Sequence, residues 1–196
     1  MPNPQLYLAS KSPRRRALLE QIGVRYAIVP TALDEVALPG EEAEDYVLRV
    51  ALDKARAGRI LTASAPHLPI LGADTAVVVG NRVLGKPSDA DDAAAMLRLL
   101  SGRMHRVLSA VAVVGVGERS ALSISEVRFR EISDRESRAY WDTGEPTDKA
   151  GSYAIQGFGA LFVSELRGSY SGVMGLPIYE TSQLLAAEGI RVLSTD

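Results

Sequence analysis

Residues 68–86 read "LPILGADTAVVVGNRVLGK", and the class of fold turns on how this stretch divides. With Pro87, its tail "GNRVLGKP" over 80–87 has the G-x-x-x-x-G-K spacing of a phosphate-binding loop that would open a helix. Pro87 stands where such a loop needs Ser or Thr to hold Mg²⁺, and "NRVL" reads as a turn and a strand, not a cradle. We therefore take "LPILGADTAVVV" as a largely apolar strand, "GNR" as a turn and "VLGK" as a short second strand. A hairpin in this place commits the chain to a sheet that is not purely parallel.

Working outward, strands alternate with helices on both sides. Upstream, "QLYLAS" is a short strand leading into "SPRRRALLEQIG", a helix with Ser12 as N-cap, Pro13 first, a Leu18, Leu19, Ile22 stripe and Gly23 as stop. "RYAIVPTALDE" reads as a strand entering a loop. "EEAEDYVLRVALDKARAGRIL" reads as a helix with acids in its first turn and Gly58 near its end. Downstream, "SDADDAAAMLRLLSG" is a helix capped by Ser88 and closed by Gly102, and "HRVLSAVAVVGVG" with "SALSISEVRFREI" forms a hairpin. "SDRESRAYWDTGEP" starts with Ser133 and Glu136 at capping-box spacing, "ALFVSELRG" is a strand, and "PIYETSQLLAAEG" is a helix begun by Pro177. The pattern predicts an α/β protein with a mixed sheet flanked by helices. Its 196 residues suit one domain, or two lobes sharing a sheet.

The chain is 46% hydrophobic and 23% charged, the balance of an ordinary globular protein. A net charge of −2 supplies no field for nucleic acid, so any anion must be bound locally. The absence of cysteine removes thiolate nucleophiles and thiolate zinc sites and suits a reducing cytoplasm. No stretch reads as a signal peptide or a membrane span. With only two well-separated histidines, a metal would be a hard cation on oxygen ligands. His67 is expected to be exposed, and His105 to bond the last carbonyls of the preceding helix.

Three misfits suggest chemistry. Asp74 lies mid-strand, where it either caps a turn through Thr75 or serves as general base or metal ligand at a cleft. Lys54 shares an i, i+3, i+4, i+7 stripe with Val47, Val50 and Ala51, so it either snorkels to the rim or faces a site that needs positive charge. Arg14, Arg15 and Arg16 crowd the first turn of a helix, whose dipole disfavours cations by roughly 0.3–1 kcal/mol each. Lys86 is an isolated cation, or a surface partner for Asp89. In "EPTDKAGSYAIQGFGALF", Asp148, Lys149 and Gln156 could face a ligand, with Gly151, Gly157 and Gly159 letting the backbone approach it.

Read together, "LASKSPRR", "LGADT", "LGKP", "SGRMH", "GEPTDKAGSYAIQG" and "GSYSGVMGLP" resemble, in order, the signatures of the Maf family of nucleoside triphosphate pyrophosphatases. The resemblance runs from about Leu6 to about Leu185 and treats 1–196 as a single domain. It implies an elongated α/β fold with a twisted mixed sheet and two lobes about a cleft. It also implies a homodimer, and hydrolysis between the α and β phosphates with a divalent cation, Mg²⁺ or Mn²⁺. Asp74 would be the proton acceptor. Arg14, Thr75 and Gln156 would fall on the specificity positions, and Ser10, Glu35, Lys54 and Lys86 would line the substrate or metal site, with Glu35 and Asp74 as metal ligands. A triphosphate at the helix N-terminus would make arginine favourable there, Arg14 touching it, Arg15 in support and Arg16 solvated. An amide at Gln156 matches N3–H and O4 of uracil or thymine, whereas the family's 7-methyl-GTP branch carries a carboxylate. The family resemblance also admits a regulator of cell division that binds nucleotide without turnover. Retention of Asp74, Lys54, Lys86 and Glu35 argues for catalysis.

Overall fold

The computed structural model describes residues 3–193. Along it run β1 (Leu6–Leu8), α1 (Pro13–Gln21), β2 (Tyr26–Ile28), α2 (Ala43–Leu61), β3 (Ile70–Val79), β4 (Arg82–Leu84) and α3 (Ala90–Leu100). Then follow β5 (Met104–Val114), β6 (Glu118–Phe129), α4 (Asp134–Asp142), β7 (Val163–Arg167), α5 (Tyr170–Met174) and α6 (Ile178–Ala187). Short 3-10 turns at Glu145–Asp148, Ala150–Ser152 and Phe158–Phe162 fill the polar loop before β7.

The hairpin reading of residues 68–86 holds: β4 returns antiparallel on β3, pairing Val77 with Leu84 and Val79 with Arg82. Gly80 turns the chain with φ +57°, and no helix follows it as a phosphate loop would require. The seven-stranded sheet runs β2-β1-β3-β5-β6-β7, with β4 as an offshoot of β3. β1 is parallel to both β2 and β3, while β6 and β7 are antiparallel, so the sheet is mixed as predicted.

Local chemistry sets the helix ends. Ser12 caps α1 by accepting from the Arg15 amide, and Gly23, at φ +71°, lies just past its last turn. Ser133 and Glu136 close a complete capping box on α4. One expectation is corrected. Asp89, not Ser88, caps α3, because its carboxylate reaches the Asp92 amide at 2.8 Å while Ser88 bonds to the acids beside it. Gly58 lies near the end of α2, as expected. A Cβ there would lie 2.6 Å from the Ile70 side chain, so the glycine serves close packing.

The chain forms two compact units. The first comprises the segment through Asp74, Ser109–Ser123 and the segment from Gly175; the second comprises Thr75–Leu108 and Ile124–Met174. In the first, Leu6, Leu8, Leu18, Leu19, Ile70, Leu71 and Leu185 are essentially inaccessible, each burial worth about 1.5–3 kcal/mol. In the second, Val77, Leu97, Leu100, Val127, Phe129, Tyr140, Tyr153 and Phe162 share one core. Phe129 is its pivot, edge-on to His105 and Tyr153 at 4.8 and 4.7 Å between centroids.

Candidate active site

Alternation along β3 puts Ile70, Gly72 and Asp74 on the face that meets α2. The contacts climb that face in register. Ile70 packs on Gly58, and a Cβ on Gly72 would lie 2.2 Å from the Ala51 carbonyl and 2.8 Å from the Ala55 amide. Strand and helix thus touch almost backbone to backbone, and Asp74 meets Lys54 one step further on. Lys54 Nζ donates to Asp74 Oδ1 at 2.8 Å and pairs with Glu35 Oε1 at 2.8 Å. Lys54 and Asp74 are 8% and 5% exposed, so neither snorkels and neither is a surface cap. In such burial each needs the other: removing one partner typically costs about 3–5 kcal/mol.

Glu35 comes from the long loop after β2, which α2 ties down. The Tyr46 hydroxyl donates to the Glu35 carbonyl at 3.1 Å, and Arg49 donates to the Val36 carbonyl at 3.1 Å and to the Glu41 carboxylate. Arg49 holds the Glu41 carboxyl down at about 2. Burial, followed by the charges of Asp74 and Glu35, pushes the Tyr46 phenol up to about 12, so it remains a donor at neutral pH.

Among the three arginines, Arg15 is the buried one. Its Nε donates to the Gly175 carbonyl at 2.8 Å and its Nη1 to Ser10 Oγ at 3.2 Å. Burial pushes its pKa down, the Asp74 charge pulls it back up, and Arg14 and Glu35 act in opposite senses. A spacing signal was available: Arg15, Leu18, Leu19 and Ile22 share one helix face. Arg14 is half-buried on the first turn. Arg16 is half-buried too, not solvated as expected, and its Nε is a buried donor without a hydrogen-bond partner among the described residues. The first unit therefore gathers Ser10, Arg15, Glu35, Lys54 and Asp74.

Thr75, Lys86 and Gln156 belong to the second unit. Thr75 is half-buried next to Asp74 in the chain, whereas Lys86 and Gln156 are exposed. Among the described residues, Lys86 forms no ion pair with Asp89, whose carboxylate caps α3. The Lys86 segment is tied to the 3-10 turn by the bond from the Gly151 amide to the Gly85 carbonyl, 2.9 Å.

Other polar groups of this unit meet partners within the protein. Asp148 and Lys149 pair with each other, and Lys149 also donates to the Glu145 carbonyl. Gly151 approaches Val77, Gly157 approaches Glu145 and Gly159 approaches Ala154 and Tyr140; the contacts they admit are with the protein itself. His105 is buried and bonds the Tyr153 hydroxyl at 2.9 Å, not a helix carbonyl, and burial holds it down at about 4. His67, in the first unit, is exposed as expected.

No cluster of three or more His, Cys, Asp or Glu able to hold a metal occurs among the described residues. Asp74 and Glu35 are hard oxygen donors, but they share the Lys54 ammonium. That donor set suits an ion held partly by substrate phosphates, the usual habit of Mg²⁺, better than a protein-only site. Among the described residues, no helix is long and apolar enough to cross a membrane.

A family model described as Maf-like protein matches residues 5–188. A dTTP/UTP pyrophosphatase of Aromatoleum aromaticum is 54% identical over 94% of this chain and 96% of its own length. Another, of Saccharophagus degradans, is 55% identical over 93% of this chain and 88% of its own. A solved dITP/XTP pyrophosphatase from Mycobacterium abscessus aligns at TM-score 0.40 and 24% identity over 65% of this chain and 74% of that one, too loosely to bear on the site. With a family match across nearly its whole length and close relatives of the same extent, the chain belongs to the Maf-like protein family.

Proposed function

We infer that the protein is a dTTP/UTP pyrophosphatase, cleaving the α–β phosphoanhydride to give the nucleoside monophosphate and pyrophosphate. The observation that carries the chemistry is the buried Asp74 carboxylate bonded through one oxygen to Lys54. The ammonium pairs with one oxygen and fixes the carboxylate's direction, leaving Asp74 to accept a proton from the attacking water. Arg15 adds a second buried positive charge and bonds Ser10 Oγ, which also accepts from the Ser12 amide just ahead of α1, where the positive end of the helix dipole suits phosphate. Arg14 on that turn contacts phosphate, and Lys86 supplies further positive charge. A bound divalent cation, Mg²⁺ or Mn²⁺, would be held by Asp74 and Glu35 and offset charge that develops on phosphate oxygens.

Thr75 and Gln156 set the choice of base. Gln156 offers one acceptor and one donor, complementary to N3–H and O4 of uracil or thymine, where a carboxylate would favour the two adjacent donors of guanine. Cytoplasmic residence, in keeping with the absence of cysteine, and a homodimer belong to the same proposal.

The test is pyrophosphate release from dTTP, UTP, CTP, GTP and 7-methyl-GTP with Mg²⁺ or Mn²⁺. Turnover is expected for dTTP and UTP and should fall by about 10²–10⁴-fold in Asp74→Asn. Preference for 7-methyl-GTP would overturn the base assignment. Tight nucleotide binding without turnover would point to a regulator.

A further inference from the structure

An amide has nearly the same outline after a half-turn, and that half-turn exchanges its donor for its acceptor. The groups around the amide decide which way it turns, so Gln156 can separate uracil or thymine from cytosine only if the chain beneath it brings the amide to the same surroundings each time. That chain is gathered by a residue eleven positions away in the second unit's polar loop, Glu145. Its Oε1 accepts from the Tyr140 hydroxyl at 2.6 Å and the Gly159 amide at 3.0 Å, and its Oε2 from the Phe158 amide at 2.9 Å. The Tyr140 oxygen accepts in turn from the Ala154 amide at 3.0 Å, so one bonded pair grips the backbone on both sides of Gln156.

The fit is close. A Cβ on Gly157, the next residue, would lie 2.0 Å from Oε2. Burial pushes the Glu145 carboxyl up, but the bonds from Tyr140, Gly159 and Phe158 more than reverse this, and it stays below the usual carboxylate range. A half-buried charge facing two consecutive amides and a buried phenol fixes a backbone, and Gln156 is the side chain that this backbone presents.

We propose that Glu145 is a positioning residue for base selectivity, holding residues 154–159 so that the Gln156 amide meets the pyrimidine edge in one orientation. The proposal rests on the reading of Gln156 as the base-contacting residue.

The experiment measures kcat and KM for UTP and CTP in the full-length protein and in Glu145→Gln, Gln156→Ala and the double variant. Glutamine keeps the shape but turns an N–H₂ toward a backbone amide. Glu145→Gln should lower the UTP-to-CTP ratio of kcat/KM by roughly tenfold, chiefly through KM for UTP, and the double variant should be no less selective than Gln156→Ala. A merely structural role would reduce both substrates together, and an unchanged ratio in Glu145→Gln beside a collapsed ratio in Gln156→Ala overturns the proposal alone. An unchanged ratio in Gln156→Ala overturns the base assignment and this proposal with it. If Glu145→Gln does not fold, Tyr140→Phe removes the phenol's bonds and leaves the carboxylate. A smaller fall in the same ratio is then expected, and no fall overturns the proposal.

Discussion

The two compact units use charge in opposite ways. In the first, opposite charges are buried against one another: Lys54 on Asp74, with the exposed Glu35 reaching the same ammonium, and Arg15 within the field of both carboxylates. In the second, the buried centre is aromatic, and the groups assigned to recognition, Lys86 and Gln156, are exposed. Its half-buried carboxylate Glu145 is spent on backbone amides and a phenol. The contrast follows from the tasks. A proton acceptor gains from fixed counter-charges in a dry setting, because their attraction is strongest where water is excluded. A group that reads a base edge must be open to its ligand, so order can be imposed only on the chain that carries it.

The largest effect should come from removing the charge that lets Asp74 stay buried. Lys54→Met leaves the carboxylate without its ammonium. We expect a loss of about 3–5 kcal/mol in unfolding free energy by denaturant titration, with pyrophosphate release falling sharply. Arg56→Met breaks the exposed pair with Glu118 in the same unit and should change stability little, since water already screens those groups. Equal losses in the two variants would break the contrast between buried and surface charge.

In the second unit the corresponding probe is the buried imidazole. Burial holds His105 at about 4 against an ordinary value of 6.5. Between those values the unfolded chain takes up a proton that the folded chain refuses, so stability rises with pH across the window. Falling from pH 7 to pH 4 should cost about 3 kcal/mol through this group alone. Carboxylates titrate over part of the same range, so the measurement is a difference. Chemical denaturation across pH should show wild type losing more than His105→Gln, and parallel curves would remove His105 from the account.

The division of labour was only partly legible in the sequence. Asp74 and Lys54 stood out because charge on an apolar strand or stripe is costly, and the hairpin at Gly80 because turn chemistry is local. Arg15 was harder to place: its own helix face marked it as buried, but its bond to the Gly175 carbonyl joins residues 160 positions apart. Gly58 was legible as a glycine near the end of α2, while the reason for it lies in the packed strand, at Ile70. The loop from Glu145 to Phe162 has no hydrophobic period, being a set of 3-10 turns closed by side chain-to-backbone bonds. Sequence showed its glycines but not that they serve Val77, Glu145, Ala154 and Tyr140. The five-residue α5 is too short to leave a periodic signal.

The smallest expected effect tests whether the first unit also holds a loop, as Glu145 does in the second. Tyr46 donates to the Glu35 carbonyl, while Arg49 grips Val36 and Glu41. Tyr46→Phe removes a single bond and leaves the ring in place. The freed carbonyl can turn to water, so the cost should be only about 0.5–1.5 kcal/mol. Amide hydrogen exchange is the sharper readout, because local opening responds before global stability does. Exchange should quicken over residues 34–38 and remain unchanged in α2. A modest fall in activity should accompany it, since Glu35 would then meet Lys54 less often. If exchange there is unmoved in Tyr46→Phe but quickens in Arg49→Met, the loop is held by its ion pair. Glu35 would then owe its place to surface charge, unlike Gln156, whose backbone is anchored by a buried phenol and a carboxylate.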